Sequence, residues 1–155
     1  MVEEGFNAYQ SQNKSICIGK DVCGEGGIPT LNVSRKVMTK ESDEYELLVR
    51  ELHEALVKND GVENICVLHN VRIKGKSGAS HQIDVYWEFK LAGVTYKTCI
   101  ECKYFKSSIK KLHIAAFSAI LEDIGNATGI FATSSGYQSG AKLFAQEKGI
   151  RLVLV

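Results

Sequence analysis

Two strand-like runs joined by only four residues constrain the fold of this chain more than any other feature. Residues 82–89 and 94–103 are rich in Val, Ile, Tyr and Thr, as β-strands are, and only residues 90–93 lie between them. A connection this short predicts an antiparallel hairpin. A similar run, residues 64–73, precedes the hairpin and predicts a third strand beside it.

Helical periodicity flanks these strands on both sides. Apolar side chains recur every three or four positions before the first strand and again after the hairpin, and Gly125 and Gly149 follow two of these segments as stop signals. The pattern predicts helices at 41–58, 107–123 and 138–148, with strands at 128–132 and 150–155. The predicted buried stripes are Tyr45, Leu48, Val49, Leu52, Ala55 and Leu56 in the first helix, and Ile109, Leu112, Ala116, Ile120 and Ile124 in the second.

The order of elements is therefore α-β-β-β-α-β-α-β. A hairpin followed by alternating strands and helices predicts an α/β fold with a mixed sheet and helices on both faces. We expect one domain over residues 41–155, because 155 residues with 45% hydrophobic content suffice for a single core. Residues 1–40 lack clear periodicity and are expected to form an arm of uncertain structure.

Composition also bears on the compartment. The chain has no apolar run near 18 residues, and its first residues lack the pattern of a signal peptide. Its five cysteines are odd in number and show no compact framework, so we expect reduced thiols. These features predict a cytoplasmic protein without a membrane partner.

The charge is divided unevenly along the chain. Residues 1–60 hold 7 Lys and Arg against 11 Asp and Glu, a net of −4, whereas residues 61–155 hold 12 against 7, a net of +5. Such asymmetry suggests an anionic partner for the second half, although a solvated surface would give the same count.

Two carboxylates and a lysine stand out on the predicted hairpin. Side chains alternate along a strand, so Glu101 and Lys103 share one face of the second hairpin strand. Asp84 lies on the first hairpin strand, where antiparallel pairing brings it within reach of Glu101. Two carboxylates held this close repel each other unless a cation lies between them, and oxygen ligands suit Mg²⁺.

Simpler interpretations exist for some of these residues. An acid and a lysine at alternate positions are also typical of a surface ion pair that contributes well under ~1 kcal/mol. Cys99 and Cys102 have the spacing of half a zinc site, but on a strand they point to opposite faces and cannot share a metal.

The segment before the hairpin is the best candidate for contact with a nucleic-acid backbone. It combines cations, hydroxyls and glycines that let main-chain amides approach phosphate, and further lysines stand at the start of the second helix. The candidate residues are Arg72, Lys74, Lys76, Ser77, His81, Gln82, Lys106 and Lys110.

The hairpin residues resemble the PD-(D/E)XK nuclease superfamily, and within it the Mrr-like restriction endonucleases. Residues 82–85, Gln-Ile-Asp-Val, match the first acidic motif, and residues 100–103, Ile-Glu-Cys-Lys, match the E-x-K motif. Asp84 follows Ile83 rather than proline, which is common among Mrr-like members. The segment from Gly129 to Ile150 also resembles the strand–helix–strand of that family, and the resemblance covers about residues 41–155.

The resemblance implies a restriction-endonuclease-like fold and metal-dependent hydrolysis of DNA. Asp84, Glu101 and the backbone carbonyl of Cys102 would hold Mg²⁺, with Mn²⁺ as a substitute. Lys103 would orient or help to deprotonate the attacking water and stabilise the transition state. Glu46, in the first helix, matches a family glutamate that touches the metal or its water.

The implied partner is double-stranded DNA, and the implied role is restriction of foreign or modified DNA. A homodimer and an additional specificity domain or partner are further expectations, because one site per chain must cut two strands and no recognition helix is evident. Two alternatives remain: a binding module that keeps the fold without cutting, and a nuclease for DNA repair or junction resolution.

Overall fold

A computed structural model describes residues 40–60 and 65–155 of the chain. The predicted arm, residues 1–40, lies outside this description apart from Lys40. The described elements are α1 (Lys40–Asn59), β1 (Leu68–Lys74), β2 (Ser80–Leu91), β3 (Val94–Lys103), α2 (Lys111–Ile124), β4 (Ala127–Thr133), α3 (Ser139–Glu147) and β5 (Arg151–Leu154). None of the helices described here has the length and apolar character needed to cross a membrane.

Within the described residues, the strands form one mixed sheet in the order β1-β2-β3-β4-β5. The first three strands pair antiparallel, whereas β3, β4 and β5 pair parallel. Parallel neighbours need a crossover connection, and α2 and α3 provide it. The α/β architecture and the element order predicted from the sequence are confirmed.

The sheet separates two hydrophobic cores, one on each face. On one face α2 and α3 pack against strand residues that include Ile83, Cys99 and Phe131. On the other face α1 packs with Tyr45 and Val49 against a second set of strand residues, which are Val85, Ile100, Cys102, Ile130 and Ala132. We call these the α2/α3 face and the α1 face.

The helix α1 turns a different side to the sheet from the one predicted. Leu48 and Leu56, expected in the core, are 52% and 47% exposed, while Glu46 and His53 are buried. Two polar contacts hold the helix in this rotation: Arg50 Nε donates to the carbonyl oxygen of Val67 at 3.2 Å, and Glu46 contacts β1. The predicted leucine stripe is therefore wrong, because these polar contacts to Val67 and His69 outweigh the apolar periodicity.

The helix α2 begins at Lys111, four residues later than predicted. The preceding segment is extended and is tied to the loop after β4, where the Ile109 amide donates to the Gly136 carbonyl at 2.8 Å and the Gln138 amide donates back to Ile109 at 3.0 Å. Ile109 is buried as predicted, but from this extended segment, and Leu112 is exposed. Hydrogen bonding to the neighbouring loop thus replaces the first helical turn.

Two cysteines agree with the prediction and one does not. Cys99 and Cys102 are free and buried, and they belong to the cores on opposite faces of the sheet. Cys66 is disulfide-bonded. The prediction that all the thiols are reduced is therefore wrong at Cys66.

Both β1 and β2 are irregular at the same level of the sheet. Residues two apart on a regular strand share a face, yet Ile83 packs on the α2/α3 face and Val85 on the α1 face. Regular alternation, which would put these two residues on one face, is therefore broken between them. Across from Asp84, Asn70 of β1 has a positive φ of 54° and interrupts the strand pairing between His69 and Val71.

The turn between β1 and β2 is fastened to the end of α2 by one carboxylate. Asp123 accepts hydrogen bonds from the Ser77 amide (2.8 Å), the Ser77 hydroxyl (2.7 Å) and His81 Nε2 (2.6 Å). Gly75 is required beneath it, since a Cβ there would stand 1.8 Å from Asp123 Oδ2. This anchor holds the start of β2 in place.

The Asp123 anchor predicts a specific loss of stability in acid. The hydrogen bond from His81, followed by those from Ser77, lowers the pKa of Asp123 from 3.8 to about 2. The folded state therefore favours the ionised carboxylate, and its contribution is complete above pH 3.8 and is lost as the pH falls towards 2. We expect the difference in free energy of unfolding between the intact chain and Asp123→Asn to shrink over this interval in urea titrations.

The neighbouring carboxylate supplies the control for this measurement. Glu122 is largely exposed and meets Lys148 only at 3.7 Å. Glu122→Gln should alter the free energy of unfolding little, and by the same amount at each pH. A constant difference for Asp123→Asn over the same interval would show that the anchor does not depend on the ionised carboxylate.

Asn70 predicts a test of the irregular strand. A β-branched residue in the left-handed region costs about 1–2 kcal/mol, whereas glycine enters it freely. Asn70→Val should lower the free energy of unfolding by about that amount, and Asn70→Gly should leave it nearly unchanged in chemical denaturation. Equal stability of the two variants would mean that β1 does not need the positive φ.

Candidate active site

Asp84 lies where β2 and β3 separate. The two strands pair as far as Val85 and Ile100, so the next pair would be Asp84 with Glu101. The ladder with β2 ends before that pair, whereas on its other edge β3 stays paired with β4 as far as Lys103. The Asp84 carboxylate bridges the gap, because its Oδ2 accepts the backbone N–H of Cys102 at 2.8 Å. Asp84 is thereby buried and held towards β3.

Glu101 and Lys103 face each other at the end of β3. Lys103 Nζ donates to Glu101 Oε1 and lies 3.3 Å from the carbonyl oxygen of Cys102. The side chains of Lys103 and Glu101 are only 15% and 17% exposed. Most of this ion pair is shielded from water, which distinguishes it from the exposed surface pair of the simpler interpretation.

Glu46 reaches the same region from α1. Its carboxylate is 2% exposed and accepts a hydrogen bond from His69 Nε2 at 3.0 Å. Burial raises the pKa of Glu46, and the negative charge of Asp84 raises it further, while the hydrogen bond from His69 acts in the opposite direction. The two carboxylates therefore repel each other when both are ionised.

The pKa of the Cys102 thiol is affected by the charges of these side chains. Burial is the first cause that raises its pKa, and Asp84, Glu46 and Glu101 raise it further, while Lys103 lowers it. The printed contacts join these side chains in separate pairs: Lys103 with Glu101, Asp84 with the Cys102 amide, and Glu46 with His69.

The donor set fits a small, hard divalent cation. Asp84 and Glu46 are buried carboxylates whose charges repel each other, which favours a positive charge near them, and Glu101 lies on the neighbouring strand. Within residues 40–60 and 65–155, no group of three or more His, Cys, Asp or Glu side chains is arranged so that it could hold a metal ion. Mg²⁺ does not need such a cage, because it usually keeps several waters and takes one or two carboxylates from the protein.

Three of the predicted DNA contacts lie on the α1 face of the sheet beyond the carboxylates. Val71 and Ile73 pack against the α2/α3 core, so the exposed side chains of Arg72 and Lys74 point to the opposite face. Gln82 of β2 pairs with Arg72, and Asp84 follows Gln82 two residues later on the same strand. A polar, basic strip therefore leads along the sheet towards the acidic site.

The remaining predicted contacts fall into two groups. Ser77 and His81 are engaged with Asp123, and Lys76 donates from Nζ to the Glu122 carbonyl at 3.2 Å, so these three side chains fasten the turn to α2. Lys106 and Lys110 are exposed between β3 and α2. The backbone amide of Lys110 also donates to His113 Nδ1 at the start of that helix.

Sequence reasoning missed His69 and Asp123. His69 lies 23 residues from its partner Glu46. Asp123 is 42 residues from His81. No local spacing signals contacts of this kind, since they depend on how α1 and α2 pack against the sheet.

Comparison with solved structures supports the fold. Over 72% of this chain, a crystal structure of a protein of unknown function, AF1548, matches with 21% identity and a TM-score of 0.50, covering 56% of that chain. Can2 from Sulfobacillus thermosulfidooxidans, solved with cyclic tetra-adenylate, matches 72% of this chain with 18% identity and a TM-score of 0.56, covering 32% of its own length.

A third similar structure is that of the MspJI restriction endonuclease in complex with a 27-mer oligonucleotide. It matches 73% of this chain with 14% identity and a TM-score of 0.52, over 26% of the MspJI chain. The chain thus spans between about a quarter and just over half of the length of these proteins. At such identities the likeness shows a shared fold.

The family comparison is more specific. A search of curated proteins found no match, but the family model Mrr_cat, described as a restriction endonuclease, matches residues 41–154. This match spans the first helix, the hairpin with Asp84, Glu101 and Lys103, and the strand–helix–strand that follows. The resemblance noted from the sequence is confirmed, and the chain belongs to the Mrr_cat restriction endonuclease family.

Proposed function

We propose that this nuclease domain is a metal-dependent endonuclease that hydrolyses phosphodiester bonds in DNA, and that residues 41–155 are its catalytic unit. The observation that carries the proposal is that the Asp84 carboxylate binds the Cys102 amide between Glu101 and Lys103, which form an ion pair, where β2 and β3 separate. A metal-binding group of carboxylates beside a lysine is suited to cleavage of a phosphodiester, which needs charge neutralisation and an activated water.

Each residue has a distinct part in the proposed reaction. Asp84, Glu101, the Cys102 carbonyl and Glu46 would hold the cation, which we expect to be Mg²⁺, with Mn²⁺ as a substitute. When bound, such an ion neutralises the scissile phosphate and lowers the pKa of a coordinated water. The Lys103 ammonium lies beside Glu101 and the Cys102 carbonyl, so it can orient the attacking water by hydrogen bonding.

Lys103 also serves the transition state. Negative charge grows on the phosphoryl oxygens and the leaving oxygen during in-line displacement. An ammonium held in place before the reaction stabilises that charge without reorganisation. The shielding of Lys103 from water strengthens the effect, because electrostatic interactions are stronger at low dielectric constant.

DNA would approach along the strip of Arg72, Lys74 and Gln82. These side chains are exposed and share the α1 face with Asp84, so cations on the strip can bind phosphates next to the one being cut. Lys106 and Lys110, which are exposed between β3 and α2, would contact further phosphates of the DNA backbone. Lys76, Ser77 and His81 would act mainly by holding the turn in position, since Asp123 and Glu122 engage them.

The biological context remains part of the proposal. The oligonucleotide in the MspJI structure is consistent with DNA as the partner of this fold. We propose a cytoplasmic role in restriction of foreign or modified DNA, with a homodimer or successive nicks to cut both strands and with specificity supplied by a further segment or partner. A module that binds DNA without cutting, and a repair or junction-resolving nuclease, are the outcomes against which the experiments below discriminate.

One prediction of the proposed function concerns DNA cleavage. The intact chain should nick supercoiled plasmid with Mg²⁺ or Mn²⁺ and not with EDTA. Asp84→Ala and Lys103→Ala should each reduce the rate at least ~100-fold, because the first removes a ligand and the second removes a preorganised donor. Gel analysis of methylated and unmethylated plasmid, and of branched junctions, also separates restriction from junction resolution.

Lys90→Ala is a matched control, since Lys90 is an exposed lysine of the same sheet near the hairpin turn. It should cut like the intact chain. If DNA is bound but not cut with either metal, the non-cleaving module is the better description. If cutting survives both active-site substitutions, the proposed site is wrong.

The second prediction concerns the basic strip. Arg72→Ala and Lys74→Ala should each weaken duplex binding several-fold. Each should also reduce the slope of log K against log salt concentration by the amount expected for about one phosphate contact. Fluorescence anisotropy at several salt concentrations in EDTA measures binding without cleavage. Lys142→Ala, an exposed lysine on α3, should leave both quantities unchanged. A salt slope that is the same for all these variants would contradict a DNA path over β1 and β2.

A further inference from the structure

One buried carboxylate of the site is held by a residue that belongs to none of the predicted motifs. Glu46 is 2% exposed, and a buried carboxylate is costly unless it is hydrogen-bonded. His69 Nε2 donates to its Oε2 at 3.0 Å. We propose that His69 is a positioning residue, which holds Glu46 beside Asp84 so that Glu46 can contribute to divalent metal binding; the proposal rests on the function proposed above.

The strand places His69 for this contact. His69 pairs across β1 and β2 with Val85, the residue directly after Asp84, and so stands at the level of the acidic site. Leu68 and Val71 both pack against the α2/α3 core although they are three residues apart. The positive φ of Asn70 makes this possible, since it breaks the alternation between them and leaves His69 on the α1 face, where Glu46 lies.

The charges around Glu46 explain why a donor is needed there. Glu46 and Asp84 repel each other on the α1 face. The nearby cations have other contacts: Lys103 with Glu101, and Arg50 with Glu54 and the Val67 carbonyl. The imidazole is the group whose hydrogen bond fixes this carboxylate.

The geometry of the His69–Glu46 hydrogen bond suits a role in which His69 acts through Glu46. The hydrogen bond engages one oxygen of Glu46, and a carboxylate has a second oxygen with which to bind an ion or its water. Partners of this type orient metal ligands, and their loss typically weakens metal affinity by about 10–100-fold. His69 is therefore expected to act through Glu46 rather than on the substrate.

The test measures binding of Mn²⁺ alone by calorimetry, without DNA and without turnover. His69→Ala should weaken Mn²⁺ binding about tenfold. Glu46→Gln should weaken it at least as much, and the double variant should be no weaker than Glu46→Gln. His69→Gln, whose amide can reach the same oxygen, should restore most of the affinity.

Two controls separate positioning from general damage. His113→Ala removes a histidine whose hydrogen bond is to the start of α2, and it should bind Mn²⁺ like the intact chain. Thermal melting checks that each variant is folded. If His69→Ala does not fold, His69→Gln and His69→Asn carry the test, since the shorter Asn should fail to reach Glu46 and should bind Mn²⁺ more weakly.

The outcomes are distinguishable. Normal Mn²⁺ affinity of His69→Ala, or a loss that adds fully to that of Glu46→Gln, would overturn the positioning role. So would equal affinity of the Gln and Asn variants. If Asp84→Asn also binds Mn²⁺ normally, the proposed metal site itself fails, which is a different result from failure of His69 alone.

Discussion

The separation of β2 from β3 is the constraint on which the rest of the site depends. Antiparallel strands normally exchange main-chain hydrogen bonds along their length, but here the exchange stops after Val85 and Ile100. A buried amide without a partner is costly. The Asp84 carboxylate satisfies the Cys102 amide, and this single bond stabilises the gap while directing a negative charge into it.

The two cores make this arrangement sustainable. Both faces of the sheet are covered, so the divergent strands are held by packing on either side and need not close up. The same cover removes water from the carboxylates, which raises the pKa of Glu46 and strengthens every interaction among Asp84, Glu101 and Lys103. Buried carboxylates that repel each other destabilise the folded state but favour the binding of a cation. Such arrangements are typical of functional sites.

Polar contacts also set the orientation of the elements that surround the site. α1 keeps four leucines exposed and buries Glu46 towards β1. The turn before β2 is fastened to α2 by Asp123, which fixes the strand that carries Gln82 and Asp84. In the segment predicted to contact DNA, Lys76, Ser77 and His81 therefore stabilise the turn. Arg72, Lys74 and Gln82 form the exposed polar surface on the α1 face.

The sequence by itself determined the order of the elements, the mixed sheet, the family and the identity of the clustered side chains. These follow from periodicity and from two short motifs on one hairpin, where residues near in sequence are near in space. It did not determine the buried side of α1, the start of α2, the change of face at Val85, or the contacts of His69 and Asp123. Tertiary structure decided these, because each depends on a polar or packing contact between residues far apart in the chain, and such contacts leave no periodic signal in the sequence.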